Sequence, residues 1–276
     1  NTAVGVNALE NNTTASNNTA VGYFALDTNT TGDENVAVGH EALKSNTTGQ
    51  ENTALGQSAL VTNTTGSYNV AVGQDALFTN NADNNTAIGV NALYYNSTGS
   101  GNVAVGALTL DAATTADSNT AVGRSALTAT TTGNTNVAIG DYAMSAATTA
   151  DRNVAVGSNA MASLTADGDS YNTGIGFRAA QNSTSAVQFT ALGADTLTAQ
   201  TTASYNVAIG YLSGSSLTTG GSNTSVGRAS LAANVTGGNN VVMGYNAYRL
   251  GNDGGSNVAI GVEALEDNTG SNNTAV

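Results

Sequence analysis

The fifteen residues Asn18-Thr19-Ala20-Val21-Gly22-Tyr23-Phe24-Ala25-Leu26-Asp27-Thr28-Asn29-Thr30-Thr31-Gly32 return, with small changes, along the whole chain. The opening motif Asn-(Thr/Val)-Ala-(Val/Ile/Leu)-Gly starts at Asn1, Asn18, Asn35, Asn52, Asn69, Asn85, Asn102, Asn119, Asn136, Asn153, Asn172, Phe189, Asn206, Asn223, Asn240, Asn257 and Asn273. The 16 intervals between these starts are 17 residues long in thirteen cases, 16 in two and 19 in one. Self-similarity at a short fixed period marks stacked units, each too small to bury its apolar face alone. Residues 1–276 therefore read as a single continuous repeat array, and we expect it to be a segment of a longer fibre.

Positions within a repeat are counted here from its Asn. The second is β-branched (Thr2, Val36, Val258), the fourth is apolar (Val4, Leu55, Ile88, Met243), and the third between them is nearly always Ala. Large residues alternating with small ones is the pattern of a short strand with one face turned inward. The fifth position is Gly in all 16 complete repeats, beginning with Gly5, Gly22, Gly39 and Gly56, which predicts a corner with positive φ or close backbone packing. A second apolar point follows, usually Ala-Leu, with Leu9, Leu26, Leu43 and Leu60 as its first examples. Leu or Met holds this ninth position in 13 of 16 repeats, the exceptions being Ala180, Gly214 and Tyr248. A polar turn of the Asn-Thr-Thr-Gly type closes the unit and absorbs every change of length.

Helical solenoid units run to more than about 30 residues and carry two helices. Seventeen residues with an invariant Gly and an Asn/Thr turn cannot supply them. The remaining solution is an all-β, parallel β-solenoid of about 16 coils. Two short strands per coil are expected, bonded to the coils above and below. At about 4.8 Å between paired strands, such a stack would be a rod of roughly 75–80 Å.

Positions two, four and nine are expected to form three inward apolar ladders. Each buried aliphatic group contributes roughly 1.5–3 kcal/mol, which barely offsets about 1–2 kcal/mol of backbone ordering per residue. Partner chains are therefore expected, docking on a smooth surface made by Ala and Gly at positions three, five and eight. Asn1, Asn18, Asn35, Asn52 and their successors are expected to form an amide ladder up the stack.

The chain carries 6 Lys+Arg against 19 Asp+Glu, a net charge of −13, with one His and no Pro, Cys or Trp. Zero Cys removes disulfide scaffolds, thiolate metal sites and Cys nucleophiles together. So acidic a balance argues against nucleic acid as a partner, and no apolar run approaches the 18 residues of a membrane span. His40 falls at a variable sixth position, no Gly-x-Ser-x-Gly elbow is present, and Asp167-Gly168-Asp169 is the one loop of hard-cation type. The expectation is no enzyme, no cofactor and no metal.

Two surface features stand out. Asn12, Asn29, Asn46, Asn63, Asn96 and Asn234 each head an Asn-x-Ser/Thr sequon at position twelve, which would align glycans in one row on a secretory route. The same residues also make good turns. At positions six and seven, Tyr23, Phe24, Tyr142, Phe177, Tyr211 and Tyr245 mix with charges, where a rigid scaffold would contact a cell-surface glycan or receptor.

Asn-Val-Ala-Ile-Gly-x-x-Ala, at Asn136 to Ala143 and Asn257 to Ala264, resembles the head repeats of trimeric autotransporter adhesins. The fuller unit from Asn18 to Gly32 is similar to repeat regions of phage-type tail fibres. The resemblance implies a left-handed parallel β-roll, three chains about one axis, and a place outside the cell, on a cell surface or on a virion. Periodicity by itself yields neither the hand nor the number three. The expected function is a structural and adhesive fibre segment, a homotrimeric shaft or head. The alternatives are a self-polymerising, end-to-end or glycosylated extracellular filament, and an ice-binding β-solenoid suggested by the adjacent Thr residues of the turn.

Overall fold

The computed structural model describes residues 1–251 and 253–276. The fold is all-β, a parallel β-solenoid of about 16 coils with one repeat per coil, and no helix occurs among the described residues. The chain divides into two compact units, Asn1–Thr135 and Asn136–Val276, and the division falls at the start of a coil.

In the first unit the strands are β1 (Thr2–Val4), β2 (Thr19–Val21), β3 (Val36–Val38), β4 (Thr53–Leu55), β5 (Val70–Val72), β6 (Thr86–Ile88), β7 (Val103–Val105) and β8 (Thr120–Val122). Each pairs with the next in parallel and in register, so Thr2 lies beside Thr19, Ala3 beside Ala20 and Val4 beside Val21, and so on to β8.

The second unit contains β9 (Val137–Ile139), β10 (Ala150–Asp151), β11 (Val154–Val156), β12 (Gly168–Asp169), β13 (Thr173–Ile175), β14 (Thr190–Leu192), β15 (Val207–Ile209), β16 (Thr224–Val226), β17 (Val241–Met243), β18 (Val258–Ile260) and β19 (Thr274–Ala275). The strands that follow each coil's Asn continue the same parallel register, for example Val154 beside Val137 and Val156 beside Ile139. The 19-residue coil absorbs its extra length in β12, which pairs with β10 of the preceding coil.

The strand faces are the reverse of the sequence expectation. Ala20, Ala37, Ala54, Ala71 and Ala87, at position three, are completely buried, whereas Val21 is 36% exposed and Leu55 48% exposed. The interior takes the small side chain at position three, Ala at eight and Leu or Met at nine, and positions two and four point out. Ala at three and eight thus form the core rather than a docking surface. Nor is there a second strand in the ordinary coil: one three-residue strand is followed by turns.

The reason lies in the backbone. Phe24 (φ 55°), Leu26 (φ 51°) and Glu34 (φ 60°) are left-handed, and positions seven, nine and seventeen repeat this in coil after coil. Each such non-Gly residue costs roughly 1–2 kcal/mol. Hydrogen bonds between coils offset the cost: Phe24 N–H donates to the Val6 carbonyl at 3.0 Å, Leu26 N–H to Ala42 at 3.0 Å and Glu34 N–H to Ser16 at 3.0 Å. Turning this sharply narrows the coil, and a small side chain sits behind the strand in every coil but one, where Val242 is buried at position three. Gly22 is at φ +143°, and a Cβ there would collide with the carbonyl of Gly39 in the next coil.

Where a coil departs from the pattern, its neighbours compensate. Tyr248 fills position nine fully buried, and its ring lies where a Cβ on Gly251, at position twelve, would have to go. Met161 is accommodated likewise by Gly174, which replaces the usual Ala of position three.

Candidate functional site

Inside the coils, the first-position Asn residues are joined in a ladder. Asn18 Oδ1 accepts the backbone N–H of Asn35 at 2.8 Å, Asn35 Oδ1 that of Asn52 at 3.0 Å, and Asn52 Oδ1 that of Asn69 at 3.0 Å. Their Nδ2 groups donate within the coil, Asn18 to Gly32, Asn35 to Gly49 and Asn52 to Gly66, each at 2.8 Å. Both ends of each buried amide are therefore satisfied. Phe189 interrupts the ladder, and there Gln200 Oε1 reaches Asn206 Nδ2 at 3.2 Å instead.

A second ladder runs through position twelve, and the sequence reading missed it. Asn46 Nδ2 donates to Asn29 Oδ1 at 2.8 Å, Asn63 to Asn46 at 3.0 Å, Asn80 to Asn63 at 3.1 Å and Asn96 to Asn80 at 2.8 Å. All of these but Asn80 head sequons. Asn29, Asn46, Asn63, Asn96 and Asn234 are fully buried, and Asn12 is partly so. A row of glycans along the surface would require these nitrogens outside, whereas the coil holds them inside. The available signal was the recurrence of Asn at a fixed distance from the Leu of the core.

The aromatic residues of positions six and seven do not converge. Tyr23, Tyr142, Phe177, Tyr211 and Tyr245 are exposed and Phe24 is half-buried. In the first unit Tyr23 lies edge-on to Phe24 at 4.2 Å and stacks on His40 at 5.3 Å, with Lys44 Nζ 4.9 Å from the Phe24 ring. In the second, Arg178 lies over Phe177 at 4.8 Å, and Arg228 stands 5.8 Å from Tyr211 and 5.5 Å from Tyr245. Cations thus take aromatic faces that a ligand would need.

Chemistry-bearing groups are paired along the stack. Arg152 pairs with Asp169, Arg178 with Asp195 at 2.7 Å and Arg249 with Glu266 at 2.8 Å. Asp167 accepts the Thr149 hydroxyl at 2.5 Å, which leaves the Asp167–Asp169 loop tied to the preceding coil. Among the described residues no three metal-ligating side chains gather, and no helix is long and apolar enough to cross a membrane.

What remains exposed and regular is the outward strand face. In the first unit its fourth-position column runs through Val21, Leu55 and Ile88, the last 40% exposed, and the second-position column beside it holds only Thr and Val. In the second unit the same column holds Ile139, Leu192 and Met243, exposed by 39%, 42% and 43%. Neither column contains a charged residue. Contiguous apolar surface of this kind marks an interaction site on a protein.

Compared with known proteins, the chain matches no family model and no curated protein.

Proposed function

We propose that the protein is a structural, fibre-forming element, and that the outward strand face is where copies of the chain pack together as a homotrimer. The observation that carries this reading is the pair of uncharged columns at positions two and four. They repeat in register in coil after coil, and the aliphatic residues in them are left in water by the single chain. Burying apolar area releases roughly 25 cal/mol per Å², so covering a stripe of this length favours association strongly. Edge-to-face repetition also fixes register, because each Val or Ile meets an equivalent neighbour.

A shaft or head of a surface adhesin or a phage-type tail fibre, working outside the cell or on a virion, is the role that suits such a module. The aliphatic fourth column favours chain-to-chain packing over ice, for which Thr in both columns would be better suited. Light scattering tests the assembly: the chain is 27.2 kDa, and the reading expects three times that mass. A monomer at micromolar concentration would sink it.

A further inference from the structure

At one place in the first unit the repeat departs from itself in a way that folding does not require. Position ten is aromatic in two successive coils, Phe78 and Tyr94, and Tyr95 follows at position eleven. Elsewhere these positions hold residues such as Asp27, Lys44, Thr28 and Ser45. The coil carrying Phe78 is also one of the two 16-residue coils, shortened in the turn just after it.

The three rings form a corner. Phe78 and Tyr94 stack nearly parallel, 8° apart in plane with centroids 4.8 Å apart, and Tyr95 meets Tyr94 at 73° and 4.6 Å. Beside them opens a cleft of about 320 Å³, lined by Asp75, Asn91, Tyr94, Tyr95 and Asp111. Tyr95 is 56% exposed. Asp111 accepts the Thr128 hydroxyl at 2.7 Å through one oxygen, and Asp75 accepts the Gln74 amide at 3.0 Å through one of its own. Each carboxylate is thereby oriented at the wall of the cleft, and a carboxylate has acceptor capacity beyond one such bond. Burial, with Tyr95 and Asp75 adding to it, raises the Tyr94 phenol above its ordinary value, so it stays protonated at neutral pH.

We infer that this cleft binds a saccharide, through a pyranose unit without negative charge. The exposed ring of Tyr95, braced by the Phe78–Tyr94 stack, offers a face to the C–H side of a sugar ring, and carboxylate and amide groups at the rim of the cleft take the hydroxyls. Two carboxylates and no Lys or Arg in the lining repel uronic and sialic acids. A bare cation suits the cleft less well, because Phe78 and Tyr95 already occupy much of Tyr94, whereas an ammonium cage needs several free converging ring faces. The site lies at positions seven, ten and eleven, apart from the strand face, and does not rest on the trimer reading.

The test is a glycan array of neutral and acidic saccharides probed with the full chain. Saturation-transfer NMR then follows on the best neutral glycan, with glucuronic acid and tetramethylammonium as controls. The expected result is selective binding of a neutral glycan. Tyr95→Ala should weaken it at least about tenfold, a loss of about 1.4 kcal/mol, and Asp111→Asn should weaken it with the thermal midpoint unchanged. No neutral glycan bound, equal binding of glucuronic acid, binding of tetramethylammonium alone, or binding indifferent to Tyr95→Ala would each overturn the assignment. Mass measured on the same samples keeps the outcome separate from assembly.

Discussion

Asn52 Oδ1 accepts two hydrogen bonds from Asn69 of the next coil, from the backbone N–H at 3.0 Å and from Nδ2 at 3.1 Å. One buried amide thus supports both the chain path and the side chain above it. The ladder is the polar counterpart of the Leu column, and it is directional: oxygen faces one coil, nitrogen another.

Asn52→Ala leaves the buried Asn69 N–H without an acceptor, while the Gly66 carbonyl keeps Asn63 Nδ2 at 2.9 Å. The expected loss is about 1–3 kcal/mol, the cost of one orphaned buried group. Asn52→Asp keeps the acceptor but buries a charge, so it should be the worse of the two at pH 7 and improve on acidification. Urea midpoints at pH 7 and 4 check the order.

Gly56 and Gly101 separate two uses of glycine. Gly56 sits at φ +140°, with the Gly73 backbone where a Cβ would go, whereas Gly101 sits at φ +70°, where a Cβ would meet nothing closer than the Ser118 hydroxyl at 3.6 Å, an ordinary contact. Other coils place Asn17, Glu34 or Tyr68 at the position of Gly101. Gly56→Ala should cost at least about 2 kcal/mol, and Gly101→Asn should fall within about 0.5 kcal/mol of the parent. Equal thermal midpoints for the two variants would contradict the assignment of the corner.

Tyr248 should make the protein sensitive to alkali. Burial lifts its phenol above the ordinary value of 10.0, with Asp253 adding to the lift, and its hydroxyl accepts Asn257 Nδ2 at 3.1 Å. The unfolded chain then loses this proton at a lower pH than the folded one. The stability from the neutral phenol is fully present below pH 10 and declines as pH climbs from there through the folded value. Tyr248→Phe should flatten the fall of the melting temperature above pH 10, and identical profiles for parent and variant would refute the prediction.

The sequons give a test of the interior. Expressed through a glycosylating secretory route and mapped peptide by peptide, the folded protein should carry no N-glycan at Asn29, Asn46, Asn63, Asn96 or Asn234, which are fully buried, whereas the sequons at Asn11, Asn17, Asn84, Asn182 and Asn272 are exposed and open to modification. A glycan at any of the five buried residues would mean that position twelve turns outward.

Period, corner and coil count were legible because Gly and the repeat lengths report backbone directly: Gly22 at φ +143° could hardly be another residue. Which face of β2 points inward was not legible. Thr19-Ala20-Val21 alternates whichever way it is turned, and hydrophobicity argues for burying Val21. The deciding fact is the left-handed backbone at Phe24, Leu26 and Glu34, which narrows the interior so that position three takes a small side chain in every coil but that of Val242. Those are not residues that advertise positive φ. The second Asn ladder was hidden for a related reason, since Asn-Thr-Thr-Gly is as good a surface turn as an interior amide. The aromatic cleft is visible in sequence only as a lapse in the repeat at Phe78, Tyr94 and Tyr95. The ring geometry needed the fold.

The central claim, that the outward strand face is covered by other copies of the chain, is tested most directly by thiol protection. The chain has no Cys, so Thr53→Cys on that face and Thr30→Cys at the turn each provide a single thiol, at sites of similar partial exposure in the lone chain. Maleimide labelling of the folded protein should be at least about tenfold slower at position 53, which corresponds to about 1.4 kcal/mol of protection, and denaturant should abolish the difference. Equal rates in the folded protein would show the face open to water and contradict the account.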